Sequence, residues 1–345
     1  MNFILISYCV FSFIFFIFFK QISKKVNLYD IPNHRKIHKN KISLSGGLLV
    51  FLSIYFYLIF TVIFDYEKLQ LFFQFTLQYL GFFTISFLFF LIGFIDDKNN
   101  LSANKKIALF ISLILLIILI DPKLEIRILY FSFTDEYFLL QKLSLIFTFF
   151  SIFIFLNALN MYDGSNAQLG IYILIFILYL AYKTHSFFIL SFIIPILFFL
   201  VLNLKNITFL GNSGSYFIGF FLAYLSIKVY NSDLTESNLF SRSSFIKSDE
   251  IFLLMFYPVI DLIRLFFYRI YHNKNPFSAD RKHIHHILFD KFQDNFKVQL
   301  ILFILTSFPL LFYEIMKVNI ILLVFINFCL YVYLARNALF SYDDE

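Results

Sequence analysis

Apolar residues run through this chain in long blocks separated by short polar stretches, and the blocks set its architecture. A bilayer core about 30 Å thick needs roughly 20 apolar residues per crossing helix, with 17–25 usual. On that scale eleven spans are predicted: 2–19, 44–64, 75–95, 107–120, 142–158, 169–182, 186–202, 215–230, 251–268, 298–313 and 318–335. The first block has no positive stretch ahead of it and no small-residue cleavage site. Lys20, Lys24 and Lys25 follow it, so it reads as a span and not as a cleaved leader.

Composition agrees. Hydrophobic residues make up 60% of the 345 and charged residues 14%, with a mean hydropathy of +0.81; soluble proteins hold roughly 45–50% apolar residues. A soluble domain could not cover such a core, and a disordered chain would not carry it. Nine Gly and two Cys exclude collagen-like and disulfide-rich classes. Cys9 and Cys329 fall in apolar stretches with no metal-ligand spacing. The expectation is a single membrane-embedded, all-α polytopic protein of about ten to eleven transmembrane helices.

The net charge of +6 changes the picture only through its placement, and it is no argument for nucleic acid. Loops 20–43, 96–106, 157–168, 203–214, 269–297 and the C-terminus hold 18 Lys and Arg, and the opposite loops hold 8. Cytoplasmic loops carry the Lys/Arg excess, so the N-terminus is expected outside and the C-terminus inside. The opposite loops show scattered polar residues without convergent pattern. No internal or inverted repeat is evident, which weakens the case for a secondary transporter.

The candidate chemistry falls on the positive side, although it played no part in choosing that side. Span three ends in Asp96-Asp97, followed by Lys105-Lys106. Two like charges about 4 Å apart cost on the order of 4 kcal/mol at an effective dielectric near 20. A divalent cation relieves that cost, and Mg²⁺ favours one or two carboxylates plus substrate phosphates; a solvated helix end is the bland reading. Span five ends with Asn157, Asn160 and Asp163 near one helix face, then Gly164-Ser165-Asn166. Here Asn suits a base or sugar edge, while Asp163-Gly164 would equally serve as a helix stop. Gly211-Asn212-Ser213-Gly214-Ser215 reads either as an anion-binding helix start or as close helix packing.

Span nine carries Asp261 and Arg264 one turn apart. An intramembrane Asp costs roughly 2.5–3.5 kcal/mol, so a partner or a function is expected. Beyond it come Arg281-Lys282-His283 and His285-His286. Imidazoles bind metal, donate to phosphate or relay protons near neutral pH, and an Arg clamps phosphate with two parallel bonds. Zinc is disfavoured, because neither paired Cys nor an HExxH helix is present. The first positive loop adds Arg35 and His38 ahead of Gly46-Gly47.

Five of these segments, taken in order, resemble the polyprenyl-phosphate N-acetylhexosamine-1-phosphate transferases of glycosyltransferase family 4 (the MraY, WecA and TagO group). They are Asp30–Gly47, Asp96-Asp97, Asn157–Gly164, Gly211–Ser215 and Pro276–His286, and the last looks like the WecA-type ending. The resemblance implies an enzyme of the bacterial cytoplasmic membrane with its active site facing the cytoplasm. Such enzymes move sugar-1-phosphate from a UDP-amino sugar to undecaprenyl phosphate in the lipid bilayer and release UMP, with Mg²⁺ or alternatively Mn²⁺. It implies that Asp96 and Asp97 engage metal and acceptor phosphate, one of them as base, and that Asp163 joins the acidic centre. Asn157, Asn160 and Asn166 would shape the nucleotide site. His283, His285, His286 and Arg281 would position phosphates, with Lys105, Lys106, Arg35 and His38 as further cations. Metal ligation would fall to Asp97, Asp163 and Asn212.

Two positions depart from the family: Asn212 stands where Asp is usual, and Asn166 replaces the second acid after Asp-Gly. The prolines usual before the Gly-Gly pair are also absent. The alternative expectation is therefore a relative that binds UDP-sugar or lipid carrier without turnover. The sugar, the downstream glycan and the oligomeric state are left open, a homodimer among the options.

Overall fold

The computed structural model describes residues 2–31, 40–70, 73–134, 136–232, 246–276 and 281–340. Its helices are α1 (Asn2–Ile17), α2 (Phe19–Val26), α3 (Gly46–Phe64), α4 (Thr76–Asn99), α5 (Ala103–Ile120), α6 (Ser144–Tyr162), α7 (Gln168–Thr184), α8 (Phe187–Leu190), α9 (Ile193–Leu204), α10 (Gly211–Ser232), α11 (Ser248–Tyr271), α12 (Ile284–Phe292), α13 (Asn295–Met316) and α14 (Ile320–Phe340). Two short antiparallel pairs complete it: β1 (Tyr29–Asp30) with β2 (Ile42–Ser43), and β3 (Ile128–Tyr130) with β4 (Tyr137–Leu139). The chain is an all-α polytopic membrane protein.

Every predicted span coincides with helix. Among the described residues seven helical stretches are long and apolar enough to cross a membrane, and α1 and α2, bent by 64° at their junction, reach that length only when taken together. Gln168–Thr184 and Ile320–Arg336 are shorter apolar helices. α10 differs in kind. It is more polar than its neighbours, yet nearly every residue from Gly211 to Tyr230 is buried. It packs against α3, α4 and α6, which stand between it and lipid. In the bilayer all backbone polar groups must be satisfied within the segment, and a central helix can spend its side-chain surface on polar contacts that a lipid-facing one cannot.

Close backbone approach holds this centre together. A Cβ on Gly47 of α3 would fall 2.5 Å from Gly214 Cα of α10, and one on Gly93 of α4 would fall 2.5 Å from Ser213 Cα. Both glycines therefore permit helix contacts that any side chain would push apart. Aromatic rings fill the remaining space around α10, with Phe89 and Phe220 stacked at 4.9 Å and Phe51 edge-on to Phe217 at 5.0 Å.

At one end of the bundle the helices outrun their apolar blocks. α4 continues past residue 95 to Asn99, α6 past 158 to Tyr162, and α10 begins at Gly211. Hydropathy stops at the membrane edge, whereas backbone hydrogen bonding does not. Asp96, Asp97, Asn157 and Asn160 are consequently fixed on helices and not carried on loops.

The opposite end corrects an expectation. Its polar residues converge into buried ionic networks. Lys228 of α10 pairs with Asp121 at 2.7 Å, and that carboxylate also accepts from Tyr224 (2.6 Å) and Gln78 (3.0 Å). Lys183 of α7 bridges Glu250 (2.9 Å) and Glu314 (3.0 Å), while the Tyr179 hydroxyl contacts the same two carboxylates at 2.8 and 2.9 Å.

Candidate active site

The adjacent carboxylates of α4 face different ways. Asp96, 2% exposed, turns into the protein, where it accepts from Leu101 N (2.8 Å), Lys106 Nζ (3.1 Å) and Tyr216 Oη (2.7 Å). Its charge is balanced by Lys106 and its lone pairs are largely used. Asp97 faces the start of α10, with Oδ1 accepting from Asn212 N at 2.8 Å and Oδ2 from Ser213 N at 3.0 Å. The anion expected at this helix start is thus, in the first instance, the protein's own carboxylate. It quenches two of the orphan N–H groups and sits at the positive end of the helix dipole. Each carboxylate oxygen keeps a further lone pair for a ligand.

α6 delivers the next groups to the same place. Asn160 Oδ1 accepts from Ser215 Oγ of α10 at 2.8 Å, whereas Asn157 donates one turn back to Phe153 O at 2.7 Å. Asp163 caps the end of α6 and is half-buried. Burial, with the charge of nearby Asp97 as the second cause, pushes its carboxyl up to about 7. A carboxylate raised in this way is a group that a cation would relieve. The Asn166 side chain is engaged elsewhere: its amide donates to Asn206, while its backbone carbonyl accepts from Asn295 at 3.4 Å.

α12 closes the site. His285, 3% exposed, lies directly against Gly164, where a Cβ would overlap its ring. Neither of its ring nitrogens has a hydrogen-bond partner among the described residues. Burial, then the neighbouring His286 and His283, lowers its basicity well below the usual imidazole range. A neutral His285 therefore presents both a donor and an acceptor beside Asp163-Gly164. The His286 ring lies 4.2 Å from that of His285, and the His283 ring 5.5 Å.

Asp261 organises this end, a role the sequence reading did not assign to it. Its Oδ2 accepts from His283 Nδ1 at 2.9 Å, and Oδ1 accepts from Ile284 N at 3.2 Å, which caps α12. The expected Arg264 pairing is present at 2.9 Å, and Tyr331 of α14 donates at 2.7 Å. Asp261 also orients the imidazole, since with Nδ1–H donating to it, His283 keeps Nε2 as its acceptor. The missed signal was the Asp's place in a span within reach of the His run.

The other sequence candidates lie farther out. Arg281 pairs with Asp290 at 3.7 Å, both well exposed. Lys105 is exposed near the start of α5. Arg35 and His38 lie outside the described residues, as do 277–280. Asn212 projects from the first turn of α10, its backbone N–H on Asp97.

The donor set fits a divalent cation of the kind that takes its remaining ligands from phosphate. Among the described residues no group of three or more His, Cys, Asp or Glu could cage a metal. Asp97 and Asp163 instead offer two carboxylates from two helices, with Asp163 raised by burial and then by the charge of Asp97. Mg²⁺ is commonly bound by such a pair and substrate oxygens.

Comparison with known proteins bears out the family resemblance. Residues 79–230 match the family model described as glycosyl transferase family 4. The chain is 27% identical over 291 residues to an undecaprenyl-phosphate alpha-N-acetylglucosaminyl 1-phosphate transferase of Thermotoga maritima, covering 84% of this chain and 81% of that protein. It is 26% identical over 296 residues to the protein of the same description in Escherichia coli K12, covering 82% and 75%. The Salmonella typhimurium protein, again so described, is 27% identical over 297 residues, covering 82% and 75%. The matched block holds Asp96, Asp97, Asn160, Asp163 and Asn212; the His run lies beyond it.

Proposed function

We propose that this protein transfers a sugar-1-phosphate, most plainly N-acetylhexosamine-1-phosphate, from a UDP-sugar to undecaprenyl phosphate and releases UMP. One observation carries the reading. Side chains from α4, α6, α10 and α12, far apart in sequence, meet at one end of the bundle, where half-buried carboxylates and buried imidazoles keep unused hydrogen-bonding capacity.

The reaction asks two phosphorylated reactants to meet. An oxygen of the lipid phosphate attacks the sugar-bearing phosphorus of the UDP-sugar. The bond from that phosphorus to the bridging oxygen breaks, and UMP leaves with the bond's electron pair. Fixed positive potential must offset the mutual repulsion of the anions. His285, neutral and buried, donates one N–H to a phosphate oxygen, and His283 is held in one tautomer by Asp261. Asp97 is held by two backbone N–H groups at the α10 N-terminus, and Asp163 faces the same space. Mg²⁺ or Mn²⁺, held by Asp97 and Asp163 with the Asn212 carbonyl, would supply charge neutralisation for the phosphates.

The Lys/Arg distribution supports placing this end at the cytoplasmic leaflet of a bacterial inner membrane, where nucleotide sugars and a lipid-borne acceptor can both reach it. Purified protein given UDP-N-acetylhexosamines, undecaprenyl phosphate and Mg²⁺ should release UMP in a cation-dependent manner. No release with any of several UDP-amino sugars would reject the reading.

A second reading has its own observation. Asn166 is tied into amide contacts with Asn206 and Asn295, and Asn212 brings no charge. A protein that holds UDP-sugar or carrier without turnover would show binding by calorimetry and no UMP release.

A further inference from the structure

The chain bends by 64° at Phe18, where a membrane-spanning helix gives way to the eight-residue α2. α2 is strongly two-faced. Phe19 and Ser23 are buried and Ile22 packs against the core, whereas Lys20, Lys24 and Lys25 point outward and are exposed. Among the described residues none of the three ammonium groups has a carboxylate partner. Ile17 and Phe18, 55% and 47% exposed, border the basic face on the α1 side. Exposed apolar residues beside unpaired lysines, at the foot of a transmembrane helix, match the boundary between acyl chains and anionic headgroups.

We propose that the basic face of α2 is a docking surface for the anionic phospholipid headgroups of the membrane leaflet at the active-site end. The occupant is the phospholipid surface itself. Charge complementarity argues for it, as does continuity with the lipid-facing side of α1. A cytosolic acidic protein would gain nothing from the bordering Ile17 and Phe18.

The surface is mechanically joined to the site. Leu44 N donates to Leu28 O at 3.0 Å just beyond α2, and Phe209 N to Ser43 O at 2.8 Å. Gly46 N and Gly47 N then donate to Phe209 O (3.1 Å) and Leu210 O (2.8 Å), immediately before α10. Holding α2 against the leaflet thus steadies the segment that presents the α10 N-terminus to Asp97.

Hydrogen–deuterium exchange of the full chain in nanodiscs tests this without calling on turnover, so its outcome is separable from the transferase reading. In discs containing phosphatidylglycerol, amides 19–28 should exchange about tenfold more slowly than in phosphatidylcholine discs. High salt should erase the difference in the wild-type protein, and so should the Lys20→Gln/Lys24→Gln/Lys25→Gln variant, with α13 exchange unchanged as the control for folding. Equal exchange in both lipids would overturn the proposal, as would slowing that survives salt and substitution. Slowing produced by undecaprenyl phosphate in phosphatidylcholine discs, with phosphatidylglycerol inert, would assign the patch to the acceptor and overturn it equally.

Discussion

The two ends of the helix bundle treat buried charge in opposite ways. At the end where α4 begins and α10 finishes, Asp121 meets Lys228, Tyr224 and Gln78, and Lys183 meets Glu250, Glu314 and Tyr179. At the other end His285 has no partner for either nitrogen among the described residues, and Asp163 is raised by burial and then by a neighbouring carboxylate. Charge in a membrane is costly at both ends. Where it is spent on joining helices the networks close, and where they are left open the bundle keeps capacity for something else. Asp96 and Asp97 show the contrast within two residues: Asp96 is closed by Lys106 and Tyr216, and Asp97 lines the open side.

The largest expected effect strikes the closed end. Lys228→Met would strand the fully buried Asp121, and losing one partner of a buried pair costs about 3–5 kcal/mol. The thermal midpoint in detergent should fall sharply while UMP release per folded molecule holds. Loss of turnover in the surviving folded fraction would erase the distinction between the ends. Next comes Asp97→Asn. An amide still accepts one of the two α10 N–H bonds, so the fold should survive, but turnover should fall about 10²–10³-fold, the scale for removing one preorganised electrostatic contact. Retained turnover would reduce Asp97 to a helix cap.

Asp261→Ala sharpens the comparison, because Asp261 belongs to both kinds. It closes a network with Arg264 and Tyr331, and it aims His283. Loss of such an outer partner typically costs about 10–100-fold in activity. The purely structural alternative would lower the melting point and leave the pH profile of UMP release in place. The positioning role would displace that profile, since His283 would lose its fixed tautomer.

Hydropathy made the helices legible because lipid imposes one simple demand on every crossing segment. α10 was legible only in outline: it is the least apolar of the long helices, and what buries it is the packing of α3, α4 and α6, which no local pattern states. The motif residues, picked out by type and order, gather at one end of the bundle. Their internal division was not legible, because whether Asp96 or Asp97 faces inward depends on where Lys106 and Ser213 arrive in three dimensions. Lys228, inside a predicted span, finds Asp121 from more than 100 residues away. Asp261 and Arg264 were seen as a pair, but the loop they hold comes back through space and not through spacing.

The last expected effect is a pH dependence that arises at the open end. Burial and the charge of Asp97 push the Asp163 carboxyl up to about 7, whereas an unfolded Asp titrates near 3.9. Between those values the native protein binds more protons than the unfolded chain. The contribution of Asp163 to stability is therefore greatest below about pH 4, falls as the pH rises toward about 7, and is flat above. Thermal melts of cation-free protein across this range should show the decline, and Asp163→Asn should make it shallower. A divalent cation at Asp97 and Asp163 competes with the same proton, so its affinity should rise with pH through about 7 and its addition should flatten the melting profile. A profile equally steep in Asp163→Asn would place the titrating group elsewhere, and a cation affinity indifferent to pH would take Asp163 out of the cation's ligand set.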